Sequence, residues 1–241
     1  PIWPGIMLGA FSVNMIVFLS HQIDPSVALN VSLLISTGNT LSALTGYFLL
    51  KKIVRDVSAL EKVKYLFIFT SIILCACLIS STIGATAVCA AKIISWDQYF
   101  IIWFTWWLGD VTGILIVTPL LLSWVNYLKT KWQWNKKIIE ILLLYGLIFV
   151  ASGLIFCDWA FVHSTYIKPY LIIPLLLYAA FYFDKRTLTT AITLSFSIAI
   201  WGTVNGYGSF ASSSINDSLL SLQIYISTVS LTILTLKATI N

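Results

Sequence analysis

Four stretches of this chain, residues 25–50, 65–91, 111–128 and 218–236, contain no Asp, Glu, Lys or Arg. Each is about long enough to cross roughly 30 Å of hydrocarbon as a helix. Between them the chain has little with which to build a water-facing surface. Hydrophobic residues make up 59% of the 241 and charged residues 10%, whereas a soluble domain is about 45–50% apolar. One soluble domain of this size cannot hide that much apolar surface. A β-barrel would show short alternating segments instead. The fold class expected is therefore all-α: a polytopic integral-membrane helical bundle with the lipid bilayer as its solvent.

The apolar pattern reads as about eight transmembrane helices, near residues 2–20, 27–50, 64–90, 99–124, 138–156, 169–183, 187–203 and 218–238. The sixth is the shortest, and Pro169 and Pro174 interrupt its start. The basic residues test the layout. Lys51, Lys52, Arg55, Lys62 and Lys64 follow the second span. Lys129, Lys131, Lys136 and Lys137 follow the fourth, Lys185 and Arg186 the sixth, and Lys237 ends the eighth. Twelve of the fourteen basic residues thus fall on one side, leaving only Lys92 and Lys168 on the other. Such asymmetry places the even-numbered helix ends, and both ends of the chain, in the cytoplasm. The net charge of +5 reports orientation, and no nucleic-acid partner is implied. Trp96, Tyr99, Trp124 and Tyr127 flank the fourth span as interfacial anchors. The Gly- and Ser-rich loop 205–217 falls on the outer side and is expected to be mobile. Pro1 in place of Met, and an end at Asn241 directly after an apolar helix, read as a fragment cut at both ends.

Within the stretch WFTWWLGDVTGILIVTPLLLSW, residues 103–124, lies one carboxylate, Asp110. A charge at the bilayer centre costs at least about 2.5 kcal/mol, so something must offset that cost or use it. Asn39, near the middle of the second span, shares its depth, and Asn14, Ser80, Ser81 and Thr82 can reach the same layer. Intramembrane polar groups face the bundle interior and pair with one another. Small residues recur beside them: Gly38, Ser42 and Gly46 in the second span, Ser80 and Gly84 in the third, Gly109 and Gly113 in the fourth. Such rows let backbones approach, which places the second, third and fourth helices in mutual contact around Asp110. Trp106 lies one turn before Asp110 on the same face. Pro119 removes the donor that would bond the Leu115 carbonyl, and a kink is expected there. The structural reading makes Asp110 a lock between helices. The functional reading makes it a ligand or proton site, with Asn39 as its first partner.

Nothing in the chain points to catalysis. There is no phosphate-binding glycine loop, no metal-spaced His or Cys cluster and no nucleophile with a base, so no cofactor and no metal are expected. His21 and His163 are isolated in outer loops. Cys75, Cys77, Cys89 and Cys157 read as small buried hydrophobes; a Cys89–Cys157 disulfide is the one pairing to consider. A transporter-like carrier and a passive membrane anchor are the rival classes.

Five segments, in order, resemble the first type of the MASE family, the membrane-associated sensor domains. They are IWPGIMLGAFSVNM, STGNTLSALTGYFLLKKI, LISSTIGATAVCAA, WFTWWLGDVTGILIVTPLLLSW and YLIIPLLLYAAFYFDKR. The fourth carries paired Trp106 and Trp107, then Gly-Asp, Gly and Pro-Leu-Leu. The resemblance implies that residues 1–241 form one membrane-embedded input domain of the bacterial inner membrane. It also implies a role in signal transduction, passing a stimulus through the last helix to a cytoplasmic histidine kinase or diguanylate cyclase module. That makes the full-length protein part of a two-component or cyclic di-GMP system, and a homodimer is the expected state. Asp110, Asn39, Trp106 and Trp107 are the sensing candidates. Gly38, Ser42, Gly46, Ser81, Gly109, Gly113 and Pro119 are the structural ones.

Overall fold

The computed structural model describes residues 2–54, 62–128, 137–159 and 168–240, the side chains of 126–128 excepted. His163 and the side chain of Tyr127 lie outside the described residues. The chain is helical throughout its described elements. They are α1 (Trp3–Ser20), α2 (Pro25–Ile53), α3 (Val63–Ala90), α4 (Tyr99–Leu128), α5 (Lys137–Phe156), α6 (Ile173–Tyr182), α7 (Lys185–Val204) and α8 (Ile215–Ile240). Single 3₁₀ turns, Trp96–Gln98 and Pro169–Ile172, lead into α4 and α6. Seven helices are long and apolar enough to cross a membrane. The sixth expected span, 169–183, is the short one: α6 with its leading turn covers Pro169–Tyr182. Pro169 and Pro174 stand at the starts of these two short pieces.

Local chemistry sets several helix ends. Asp24 precedes Pro25, and its carboxylate accepts from the Ser26 and Val27 N–H groups at 2.8 and 3.4 Å. The proline at the first helical position needs no donor there. Lys51 and Lys52 occupy the last turn of α2, where the helix dipole favours cations. Asp184 caps α7 in the same way, accepting from Thr187 N–H at 3.2 Å and from its hydroxyl.

The chain divides into two compact units, Pro1–Val111 and Thr112–Asn241. In the first, α2 is the centre. Val31 and Ile35 pack against Ala87, Val88 and Cys89 of α3, with Phe18, Val27 and Trp106 around them. The small-residue row continues the contact. A Cβ on Gly38 would stand 3.0 Å from Ile83, and the Ser42 hydroxyl donates to the Ala76 carbonyl at 2.9 Å. Helix α1 covers α2 from another side and buries none of its own residues. Leu8 and Ile16 are 66% and 67% exposed, which suits a hydrocarbon solvent.

In the second unit, α5 and α7 run parallel. The contacts advance together along both helices: Tyr145 with Thr187, Ser152 with Ser195, Phe156 with Gly202. Helix α7 therefore starts at the same end of this unit as α5, and short α6 lies between them in the chain. Hydroxyl pairs join neighbours: Ser152 to Ser195 at 3.0 Å, Ser123 of α4 to Thr189 at 2.9 Å, Thr112 to Ser227 of α8 at 2.6 Å. Phe156, Phe196, Phe210 and Tyr225 gather at one end. The 205–217 loop expected to be mobile is tied there instead. Tyr207 N–H donates to Gly202 at 2.8 Å and Gly208 N–H to the Asp158 carboxylate at 3.1 Å. Gly208 has φ +76°, and a Cβ there would collide with the Phe156 carbonyl, so that position requires glycine.

Candidate functional site

Asp110 projects from the fourth turn of α4 toward α3. The Ser80 hydroxyl stands 2.5 Å from its Oδ2 atom. The same hydroxyl reaches the Cys77 carbonyl of its own helix at 3.0 Å. Ser80 was one of several polar groups within reach on sequence grounds; the structure singles it out. Its signal is helical: Ser80 lies four residues before Gly84, so the two share the face that α4 meets. Asn39, the partner expected from depth, does not take that place. Its Oδ1 atom is buried without a hydrogen-bond partner among the described residues. Ser81 is buried and donates to the Cys77 carbonyl of its own helix at 2.9 Å.

The α3–α4 contact is antiparallel and built by aromatics. Tyr99 meets Thr86 at 3.3 Å, and the Trp103 indole N–H donates to the Thr82 hydroxyl at 3.0 Å. The Trp107 indole N–H donates to the Leu74 carbonyl at 2.9 Å. Trp106 fills the space left by Gly84, where a Cβ would come within 3.0 Å of its ring. The paired tryptophans thus have distinct tasks. Trp106 packs into the α2–α3 core beside the Asp110 layer, and Trp107 pins α4 to the α3 backbone. Buried indole N–H groups find partners in this way as a rule.

Of the small residues, Gly38, Ser42 and Gly46 face α3; a Cβ on Gly46 would stand 3.6 Å from Ala76. Gly113 is the correction. It is exposed, and a Cβ on it meets nothing within 4 Å; the glycine pressed by the α3–α4 contact is Gly84, against the Trp106 ring. Gly109 is half-buried. Pro119 is buried, and α4 continues through it as one helix.

Two further residues differ from expectation. The four cysteines are free; Cys77, Cys89 and Cys157 are buried but Cys75 is exposed. Lys237, counted above as a charge at the membrane surface, is only 8% exposed. Its ammonium donates to the Ala180 and Phe183 carbonyls at 3.1 and 2.8 Å. These are end carbonyls of α6, which lack helical partners. No cluster of three metal-binding side chains occurs among the described residues.

Compared with known proteins, residues 2–241 match the model of one family, MASE1. No curated protein and no solved structure matches the chain.

Proposed function

The chain belongs to the MASE1 family of membrane-associated sensor domains, and from that premise we propose that the Asp110 layer is where its stimulus is read. On this reading α8 passes the change to a cytoplasmic histidine kinase or diguanylate cyclase module. The domain sits as a homodimer in the bacterial inner membrane, with the basic helix ends in the cytoplasm.

One observation carries the assignment of the site. Among the described residues, Asp110 finds its hydrogen bond in Ser80, a hydroxyl that already has the Cys77 carbonyl within reach. The helix pair therefore does not depend on the carboxyl to satisfy a polar group. A residue costing at least about 2.5 kcal/mol in hydrocarbon that packing does not require is a candidate for use. A sensor needs two packings separated by a few kcal/mol, and a stimulus that prefers one. Asp110 is well placed to bias them. Trp106, one turn away, fills the Gly84 notch and touches the α2–α3 core, so a shift at the carboxyl bears on both helices.

The test is Asp110→Asn in the intact signalling protein, with output and membrane yield measured together. The expected result is normal yield and lost response. Normal yield with a normal response sinks the sensing role and leaves Asp110 a packing residue.

A further inference from the structure

The Asp110 layer lies mid-helix. A second feature lies at the far end of the α2–α3 pair and is independent of it. The two helices are antiparallel: Ile35 meets Val88, Gly38 meets Ile83, and Ser42 meets Ala76. Extended to the helix ends, this register brings the last turn of α2 level with the first turn of α3. Four lysines occupy those turns, and Lys51, Lys52, Lys62 and Lys64 are all exposed.

Two of the four are held over aromatic rings. The Lys51 ammonium lies 5.8 Å from the centre of the Tyr47 ring, and that of Lys64 lies 5.9 Å from the Tyr65 ring. A ring attracts the cation without cancelling its charge. It also fixes the ammonium at the height where tyrosine sits in a bilayer, the headgroup level. Tyr47 and its neighbour Phe48 are 54% and 62% exposed, as rings set among lipids would be.

By composition the charge here is net positive. Residues 51–64 hold five basic side chains against two acidic ones, Asp56 and Glu61. Among the described residues the ion pair formed is Arg186 with Asp184, elsewhere in the chain. The dipole of α2 accounts for Lys51 and Lys52, which sit at its negative end. It cannot account for Lys62 and Lys64. They flank the positive end of α3, whose first turn carries no acidic residue, and there the dipole opposes them. An external anion at this height resolves the conflict.

We propose that this end of the α2–α3 pair is a docking surface for the phosphate headgroup of an anionic phospholipid. The lysines meet the phosphate, the tyrosines set its height, and the exposed apolar flanks of both helices accept the acyl chains. Basic clusters between helix ends favour such lipids.

The experiment reconstitutes the 241-residue chain in nanodiscs of equal phosphatidylglycerol and phosphatidylcholine. Native mass spectrometry then counts the lipids that stay bound. Wild type should retain phosphatidylglycerol preferentially, with roughly a fivefold gain per engaged lysine. Lys51→Gln with Lys64→Gln should cut the preference, and adding Lys52→Gln and Lys62→Gln should abolish it. Lys92→Gln, outside the cluster, should leave it intact. Thermal stability in detergent checks that each variant is folded; if the fourfold variant is not, the double variant decides. No preference in wild type, or a preference unchanged in folded variants, overturns the proposal.

Discussion

A serine hydroxyl has one hydrogen, and Ser80 has two acceptors within reach, the Asp110 carboxyl and the Cys77 carbonyl. This changes what substitution at Asp110 should do. Asp110→Asn keeps shape and polarity. Asp110→Leu removes the carboxyl yet leaves Ser80 its backbone acceptor, so no buried donor is stranded. The cost should be one ordinary hydrogen bond, about 0.5–1.5 kcal/mol. Thermal unfolding in detergent checks it; a loss of fold in the leucine variant would mean the carboxyl holds more than Ser80. The glycines separate just as clearly. Gly84→Leu must displace Trp106 and should cost about 1–3 kcal/mol as overpacking. Gly113→Leu enters open space and should stay within about 0.5 kcal/mol. Equal effects of the two would contradict this packing. The sequence already showed small residues at four-residue spacing on three helices. Spacing reveals that a helix has a small-residue face, but not what that face meets. Gly84 and Gly113 look alike in the chain, and only the rotation of α4 against α3 tells them apart.

At the scale of the element, the helix ends carry the energetics. Lys237 shows the limit of reading charge along the chain. Its position at the end of an apolar run fits a snorkelling interface lysine. The structure makes it a cap supplied by α8 to the end of α6. What decides between these is the two-residue connection from α6 to α7, which brings the α6 carbonyls under α8. Lys237→Met keeps the apolar stem and removes the donors. It should destabilise by about 1–3 kcal/mol, since two buried carbonyls lose their partner. Hydrogen exchange should then rise at the α6 and α8 ends and not in α2; unchanged exchange at that junction argues against the cap. At the start of α2, the Ser26 hydroxyl and the Ser26 and Val27 N–H groups hold the Asp24 carboxyl below its usual value of 3.8. A depressed folded value means the cap stabilises fully above the unfolded value and is lost as the pH falls through the folded one. The stability gap between wild type and Asp24→Asn should therefore be constant near neutrality and close below about pH 4. A gap that widens on acidification would reverse the assignment.

For the whole molecule, the question is how often the chain crosses. Length alone gives seven crossings, and charge alone gives eight. The disagreement lies in α6. An α-helix rises about 1.5 Å per residue and a 3₁₀ turn about 2.0 Å, so Pro169–Tyr182 spans about 23 Å against roughly 30 Å of hydrocarbon. Packing settles the direction that length leaves open. Helices α5 and α7 are parallel, with Ser152 meeting Ser195 and Tyr145 meeting Thr187, and two parallel helices in succession require a return between them. The sequence held this in its basic residues: Lys137 begins α5, and Lys185 and Arg186 begin α7, on one side. It could not show how a short helix manages the return. Tyr225 and Lys237 supply the means. The Tyr225 hydroxyl donates to the Pro169 carbonyl at 2.5 Å, and Lys237 caps the other end. The carbonyls at the C-terminal end of α6 are thus satisfied inside protein, as broken helices at membrane depth require, while Tyr225 of α8 holds the turn that leads into α6. The prediction is that reporters fused at Lys131 and at Asn205 lie on opposite sides of the membrane, Lys131 in the cytoplasm. Three passes separate them if α6 returns the chain, and two if it does not. Finding both reporters on one side would mean that α5 and α7 are antiparallel, and the packing of the second unit would fall with the topology.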